Sequence, residues 1–179
     1  TTISVNPSTN STYSVTALID GSCASIASDL TGTATVTVLP RPTAVLSTTP
    51  KTTCNGVATT LEVSLTGASP WILTYSGTDG STLSTTITGA LSTTYTIGSP
   101  YTSTISVTPS TTTTYSLTSL TDGSVNNCAA NADELTGSAT VTVTPRPSAT
   151  IALPTAVCDG SYANLVFTLT GTPNFSLTY

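Results

Sequence analysis

Apolar and polar residues alternate over short stretches of the chain, which is typical of β-strands that turn one face toward a core. The clearest stretch is 58–66, where Leu61, Val63 and Leu65 share one face and Glu62 faces the other way. We predict seven or eight such strands between Pro40 and Thr144, at residues 43–47, 58–66, 71–75, 82–88, 94–97, 102–108, 113–120 and 138–144.

Turn signals separate these strands. Asp79-Gly80, within a predicted turn at 77–80, is a hairpin signal, and further turns are predicted at 67–70 and 109–112. A long loop at 122–137 precedes the last strand, and no stretch has a convincing helical period. The pattern predicts an all-β fold of the immunoglobulin-like sandwich type.

The chain repeats itself. Ile3-Ser4-Val5 returns as Ile105-Ser106-Val107, 102 positions later, and Leu30-Thr31-Gly32 returns as Leu135-Thr136-Gly137, 105 positions later. The simplest explanation of the change in spacing is a three-residue insertion, Val125-Asn126-Asn127.

A second set of repeats follows. Cys54-Asn55-Gly56 returns as Cys158-Asp159-Gly160, and Leu73-Thr74-Tyr75 returns as Leu177-Thr178-Tyr179. The period of about 105 residues is too long for a solenoid repeat and fits one sandwich domain. We therefore predict tandem immunoglobulin-like modules of about 105 residues.

The large side chains of these repeats are the candidate core. Trp71, on the predicted strand 71–75, and Tyr115, near the start of the predicted strand 113–120, lie where such a sandwich places core aromatic residues. The core residues that we predict are Trp71, Tyr115, Leu65, Val141 and, by repetition in the preceding module, Tyr13.

Two tripeptides, Pro40-Arg41-Pro42 and Pro145-Arg146-Pro147, each follow a Thr/Val run and read as stiff joints, because proline fixes φ. On this reading residues 40–144 are a complete module, 1–39 are the C-terminal half of a preceding one and 145–179 are the N-terminal half of a following one. We expect a window from a longer repetitive chain; the alternative is that domain boundaries lie at 1 and 179. The joint arginines are expected to face solvent, or else a neighbouring module's acidic turns.

Composition and charge exclude several functions. The net charge is −5 and charged residues make up 6% of the chain, with no basic cluster. Nucleic-acid binding therefore has no cationic surface to use, and no apolar run approaches the ~20 residues that span a bilayer. We predict neither nucleic-acid binding nor membrane insertion.

Catalytic chemistry is also missing from the sequence. The chain has no histidine, which rules out Ser-His-Asp and Cys-His arrangements and histidine-containing zinc sites. No glycine-rich phosphate loop is present. We expect no enzymatic activity and no cofactor.

The long loop carries the only candidate metal ligands, Asp122, Asp133 and Glu134. Calcium prefers six to eight oxygen ligands, carboxylates included, so these three are weak calcium candidates. No Asp-x-Asp-x-Asp pattern supports them, and Asp-Gly is ordinary turn chemistry.

Four cysteines are disulfide candidates: Cys54 and Cys158 before a second strand, and Cys23 and Cys128 in a long loop. Strands of ~8 residues at ~3.3 Å each separate Cys54 from Cys128 by roughly 25 Å, whereas a disulfide needs Cα atoms within ~7 Å. A bond within one module, a bond between modules and free thiols all remain open.

The phrases at residues 54–56, 65–71, 106–115 and 139–147 resemble the Ig-like or PKD-like repeats of giant Bacteroidetes surface proteins, such as gliding-motility adhesins exported by the type IX secretion system. The resemblance implies an extracellular, filament-like adhesin on the cell surface.

Two functions follow as expectations. The chain is a semi-rigid stalk in contact with neighbouring modules, or its modules bind polysaccharide, surfaces or other cells directly through loops such as 122–137. The second includes an appendage for prey capture or attachment built from several chains. Sparse charge weakens the usual protection of strand edges, so identical chains are candidate lateral partners.

Overall fold

The computed structural model describes residues 1–89 and 100–179, and within them every regular element is a β-strand or a short 3-10 turn. The chain divides into two compact units, Thr1–Arg41 and Pro42–Tyr179. We call the first the N-terminal unit. Within the second, we call residues 42–144 the central module and residues 145–179 the C-terminal segment.

The N-terminal unit is a small two-stranded sheet. Strands β1 (Ser11–Ser14) and β2 (Thr33–Val36) pair antiparallel, and a 3-10 turn at Ala27–Asp29 lies between them. All of its residues are exposed or half-buried.

The central module contains two sheets. Its described strands are β3 (Ala44–Leu46), β4 (Lys51–Cys54), β5 (Thr59–Leu65), β6 (Trp71–Gly77), β7 (Thr82–Ile87), β8 (Tyr101–Val107), β9 (Thr113–Thr121), β10 (Leu135–Thr136) and β11 (Ser138–Thr144). One sheet has the order β10-β3-β5-β8 and the other the order β4-β11-β9-β6-β7. The pairs β10–β3 and β11–β4 are parallel, and the others are antiparallel.

The C-terminal segment forms one further antiparallel pair, β12 (Ser148–Ile151) with β13 (Phe167–Thr170). The all-β prediction is confirmed. Most predicted strands match to within one or two residues, while the predicted strand at 94–97 lies outside the described residues. Strands β4 and β10 were not predicted, and both pair in parallel with a neighbour at a sheet edge.

One hydrophobic cluster joins the two sheets of the central module. Leu61, Val63 and Leu65 of β5 belong to the same buried cluster as Trp71 and Leu73 of β6. This packing of inward faces makes the central module a two-layer β structure.

Four of the five predicted core residues are buried: Trp71, Tyr115, Leu65 and Val141. Tyr13 is the exception, since it is 37% exposed and the core placement expected for it is wrong in this structure. The reason is that the N-terminal unit contains one small sheet and no second layer to cover the ring.

A bulge in β9 changes which residues point inward. Thr74 pairs with Ser119 but Tyr75 pairs with Leu117, so Thr118 is an extra residue on β9. Because side chains alternate along a strand, one extra residue switches the face of everything after it. Leu120 and Asp122 therefore point inward and are buried.

The sequence repeats are structural repeats as well. In the N-terminal unit Ser11 pairs with Val36, as Thr113 pairs with Val141 in the central module. In each strand pair, two threonine hydroxyls at equivalent positions are hydrogen-bonded to each other: Thr12 to Thr35 at 3.0 Å and Thr114 to Thr140 at 2.9 Å.

The C-terminal segment repeats the beginning of the central module in the same way. Ala149 pairs with Leu169 as Ala44 pairs with Leu65, and a turn bond runs from Ser161 N–H to the Cys158 carbonyl. The boundary between the two compact units falls inside Pro40-Arg41-Pro42. The division into three modules at 39/40 and 144/145 stays a prediction.

Candidate functional site

The joint after β11 is a built contact between the central module and the C-terminal segment. Strand β4 pairs in parallel with β11, which places Cys54 beside Thr144. Asn55 N–H then donates to the Thr144 carbonyl at 3.0 Å. The turn that follows Cys54 is therefore held against the chain where it leaves the module.

Arg146 completes this joint. Its Nε donates to the Asn55 carbonyl at 2.8 Å. A Cβ added to Gly56, whose φ is +67°, would lie 4.0 Å from an Arg146 guanidinium nitrogen. Arg146 is exposed, as expected, but its Nε is held by a backbone carbonyl of the central module rather than by solvent or an acidic turn.

An open cleft of about 490 Å³ lies at the same joint. Its walls come from the Cys54 end of the central module and from residues of the C-terminal segment that include Pro147, Thr172, Asn174 and Phe175. None of the residues that line it carries a charge. The cleft can therefore offer apolar and hydroxyl contacts but no ion pair.

The loop at 122–137 is organised by a buried carboxylate. Asp122 Oδ2 accepts from Ala68 N–H at 3.0 Å, and Oδ1 accepts from Cys128 N–H at 3.1 Å. Ser124 donates to Oδ1 through its hydroxyl at 2.6 Å and its N–H at 3.2 Å. Asp122 ties the first half of the loop, through Ser124 and Cys128, to the turn after β5.

The same carboxylate turn occurs in the N-terminal unit. Asp20 Oδ1 accepts from Cys23 N–H at 2.7 Å and Ser22 N–H at 2.8 Å. These N–H groups, Cys23 first, lower the pKa of Asp20, because they stabilise the charged carboxylate. Because these hydrogen bonds join residues only two or three positions apart, the local sequence is enough to form them.

The three weak calcium candidates do not form one group in this structure. Asp122 is occupied by its backbone and hydroxyl donors, while Glu134 accepts from Asn131 N–H at the start of its own 3-10 turn, Ala132–Glu134. Asp133 is exposed. No group of three His, Cys, Asp or Glu side chains suited to a metal occurs in residues 1–89 and 100–179.

All four cysteines are unpaired. Cys54 lies beside Thr144, at the end where β9 begins, because Val143 N–H donates to Thr112. Cys128 lies where β9 ends, because its carbonyl accepts from Asp122 N–H. The nine residues of β9 span roughly 30 Å, too far for a disulfide between Cys54 and Cys128. Pairing between modules and free thiols remain open.

The pKa values of two core tyrosines, Tyr75 and Tyr115, are raised mainly by burial. Burial raises the pKa of Tyr75, whose hydroxyl donates to the Ser106 carbonyl at 3.4 Å. Burial, and then the charge of Asp79, raise the pKa of Tyr115. Asp79 itself has a lowered pKa, because the Ser81 hydroxyl and N–H donate to it.

An apolar groove of about 640 Å³ lies on the N-terminal unit. Its walls include Ile3, Val5, Tyr13, Val15 and Val36. Sequence analysis placed Ile3, Val5 and Tyr13 as repeats of residues in the central module but did not identify the groove.

The sequence did not reveal the structural roles of two residues, Asp122 and Arg146. Asp122 was considered as a weak calcium candidate and as part of an Asp-Gly turn. Its burial depends on the β9 bulge, which the alternation pattern does not show. The docking of Arg146 depends on the parallel β4–β11 pair, and the Thr-rich stretch before Cys54 was the available signal for that strand.

Comparison with known proteins gives no family: neither a protein-family model nor a curated protein matches the chain. Among the residues that the structure describes, no helix is long and apolar enough to cross a membrane.

Proposed function

We propose that this chain is a structural and adhesive repeat segment of a long extracellular surface filament, built from tandem immunoglobulin-like modules of about 105 residues. The observation that supports the proposal best is the joint. The parallel β4–β11 pair and the Arg146–Asn55 hydrogen bond fix the exit of the module, which suits a semi-rigid stalk.

The family proposed is the one that the sequence resembles, the type IX-secreted surface adhesins of Bacteroidetes. What supports its tandem-repeat organisation is the internal repetition: the same strand pairs recur at equivalent positions along the chain. Cell-surface localisation, contact between neighbouring modules and the absence of enzymatic activity belong to the same proposal.

Stiffness at the joint is the property to test. In a variant whose four native cysteines are replaced, spin labels are attached at Ser84→Cys and Tyr162→Cys. Double electron–electron resonance then measures the distance between these labels, one on the central module and one on the C-terminal segment. We expect a narrow distance distribution that broadens in Arg146→Ala. Lys51→Ala is the matched control, since it removes a basic side chain of β4 and leaves the Arg146–Asn55 bond in place. A broad distribution before any substitution would contradict a semi-rigid stalk.

Direct binding is the second candidate, and the insertion at 125–127 favours it. Val125 is 91% exposed in a loop whose base is hydrogen-bonded to Asp122, which is an arrangement suited to contact with a surface. Retention on polysaccharide-coated and hydrophobic beads should fall in Val125→Asp. Equal retention of Val125→Asp and the unmodified chain would remove this candidate.

A further inference from the structure

The central module begins and ends with strands that lie side by side and run in the same direction. Strand β4 pairs in parallel with β11 through four register pairs, from Lys51 with Val141 to Cys54 with Thr144. Strand β3 pairs in parallel with β10, which comes just before β11. Each of the two sheets therefore contains a parallel pair that joins the first part of the module to its last part.

The chain enters and leaves these parallel pairs at opposite ends. It enters β3 from Pro42 and leaves β11 after Thr144, and in a parallel pair the start of one strand lies far from the end of the other. Tension on the chain therefore pulls β4 and β11 in opposite directions along their own axes. The hydrogen bonds between them are loaded together, in shear, and must break together.

The antiparallel pairs β1–β2 and β12–β13 respond to tension differently. In each, the first residue of one strand is the partner of the last residue of the other: Ser11 with Val36, and Ser148 with Thr170. Because the chain enters and leaves such a pair at the same end, tension opens its hydrogen bonds one pair at a time. Bonds that break singly yield at a lower force than bonds that must break together, so the parallel pairs bear the larger load.

Hydrogen bonds beyond the register pairs extend the β4–β11 contact at its exit end. The Asn55 N–H donates to the Thr144 carbonyl at 3.0 Å, and the Thr144 hydroxyl donates to the Thr53 carbonyl at 3.2 Å. At the entry end of the module, the Thr43 N–H donates to the Thr66 hydroxyl at 2.9 Å, and the Thr66 N–H donates to the Thr43 carbonyl at 2.9 Å. Both ends of the path that carries tension are therefore bonded to the body of the module.

Buried side chains keep the loaded strands from sliding. The inward residues of β3 and β11 are fully buried in the core: Ala44, Leu46, Ala139 and Val141. A slip of one residue would turn these side chains toward solvent and polar neighbours inward, because side chains alternate along a strand. Gradual sliding under load is therefore costly, and the contact holds until it fails as a whole.

We propose that the parallel β4–β11 pair is a shear clamp, which makes the central module a load-bearing element of the chain. The module keeps its fold under tension until the clamp ruptures, and it then unfolds as one unit. This function goes beyond the semi-rigid stalk proposed above, because stiffness at the joint sets the shape of the chain, whereas the clamp sets the load that it withstands. The two properties can fail separately, since Arg146 fixes the joint and the β4–β11 ladder forms the clamp.

Single-molecule force spectroscopy on the full chain, tethered at both ends, measures the rupture directly. We expect one dominant rupture that releases the central module, roughly 340–370 Å of chain at 3.3–3.6 Å per residue, less its folded length. The antiparallel pairs β1–β2 and β12–β13 should open earlier and at lower force. A central module that opens at the same force as those pairs, or without a distinct rupture, overturns the proposal.

A change in the direction of the pull is the sharpest test, because it leaves the clamp itself unchanged. Cys54 is exposed and lies beside Thr144, so tethers on the Cys54 thiol and at the C-terminus pull from the same end of β4 and β11. The hydrogen bonds of the clamp then open one pair at a time, and the rupture force should fall several-fold relative to end-to-end pulling. Equal forces in the two directions overturn the proposal. Serine replaces the other three cysteines in both measurements: Cys23, Cys128 and Cys158.

A substitution within the clamp should lower the end-to-end rupture force. Asn55→Pro removes the N–H that donates to Thr144 and keeps the carbonyl that accepts from Arg146, so it weakens the clamp and leaves the joint bond in place. Position 55 suits proline, since it precedes Gly56, whose φ is +67°, in a turn closed by the Val57 N–H. An unchanged rupture force in folded Asn55→Pro would count against the clamp.

Asp79→Asn is the matched control outside the clamp. It removes the charged acceptor of the Ser81 hydroxyl and N–H in the turn between β6 and β7, toward the other edge of the sheet, and should leave the rupture force unchanged. Equal loss of force in both variants would show that rupture follows overall stability, which contradicts the proposal. Emission of Trp71 verifies that each protein is folded before it is pulled. If Asn55→Pro does not fold, the comparison of pulling directions decides.

Discussion

The N-terminal unit and residues 103–144 of the central module carry closely similar sequences in different surroundings. Both form the same strand pair, the same carboxylate turn and the same 3-10 turn. Yet the repeat of β8, residues 1–5, forms no strand, because β5 has no counterpart in the N-terminal unit. Local hydrogen bonds therefore follow from local sequence, whereas burial and long-range pairing require the other half of a module.

The largest difference between the two copies is expected at a glycine. Gly137 has a φ of +83°, and a Cβ there would clash with the Leu46 carbonyl oxygen. Gly32 has a φ of +94°, and a Cβ there would meet nothing within 4 Å. Gly137→Ala should destabilise the central module by about 2–6 kcal/mol, from backbone strain and overpacking together. Urea unfolding followed by Trp71 emission measures the loss. Gly32→Ala is the matched control and should leave that midpoint in place; equal effects would contradict the comparison.

A leucine pair tests burial directly. Leu120→Ala removes a buried side chain and should lower the free energy of unfolding of the central module by about 2–5 kcal/mol, because a cavity remains. Leu18→Ala, at the equivalent exposed position, should change it by less than about 0.5 kcal/mol. Both values come from the same urea titration under dilute, reducing conditions. A loss below 1 kcal/mol in Leu120→Ala would mean that the β9 bulge does not turn Leu120 inward.

A substitution in the carboxylate turn tests how much the buried Asp122 contributes to the stability of the central module. Asp122→Asn should lower the free energy of unfolding by about 1–3 kcal/mol, because buried N–H donors lose a charged acceptor. Asp133→Asn, an exposed change in the same loop, should be neutral. Hydrogen exchange at the amides of Ala68 and Cys128 locates the effect. Unchanged protection there would show that Asp122 does not hold the loop.

The smallest effect is expected from alkaline pH. Burial raises the pKa of Tyr75 and Tyr115 above the unfolded value of 10.0, so the folded state holds their protons more tightly. Their contribution to stability is complete below pH 10 and is lost as the pH rises through the raised values. Tyr75→Phe should make the alkaline loss shallower, and Tyr162→Phe, at a fully exposed residue, should not. Parallel profiles for both variants would contradict the assignment.

Much of the central module could be predicted from sequence. Alternation of residues such as Leu61, Val63 and Leu65 located β5 and its buried face, and the Gly and Pro punctuation located most turns. The parallel strands β4 and β10 were missed, because short polar strands at a sheet edge carry little alternation. The candidate site was predicted only in outline: the joint was located from its prolines, but the role of Arg146 depends on β4.

The cysteines and acidic residues show the same limit. Sequence reasoning placed Asp122, Asp133 and Glu134 in one loop, and sharing a loop suggested a shared ligand. The β9 bulge instead turned Asp122 into the protein, away from the other two. Whether side chains in one loop converge depends on strand register, which a single inserted residue reverses.

The sequence alone determined the repeat, the all-β class, the inward faces of the main strands and the turn chemistry, because these depend on neighbours a few residues apart. The tertiary structure decided which copy of each repeat is buried, how β4 docks beside β11 and where Asp122 points. These depend on pairing between distant segments, and a segment such as residues 1–5 cannot form its strand until a partner strand is present.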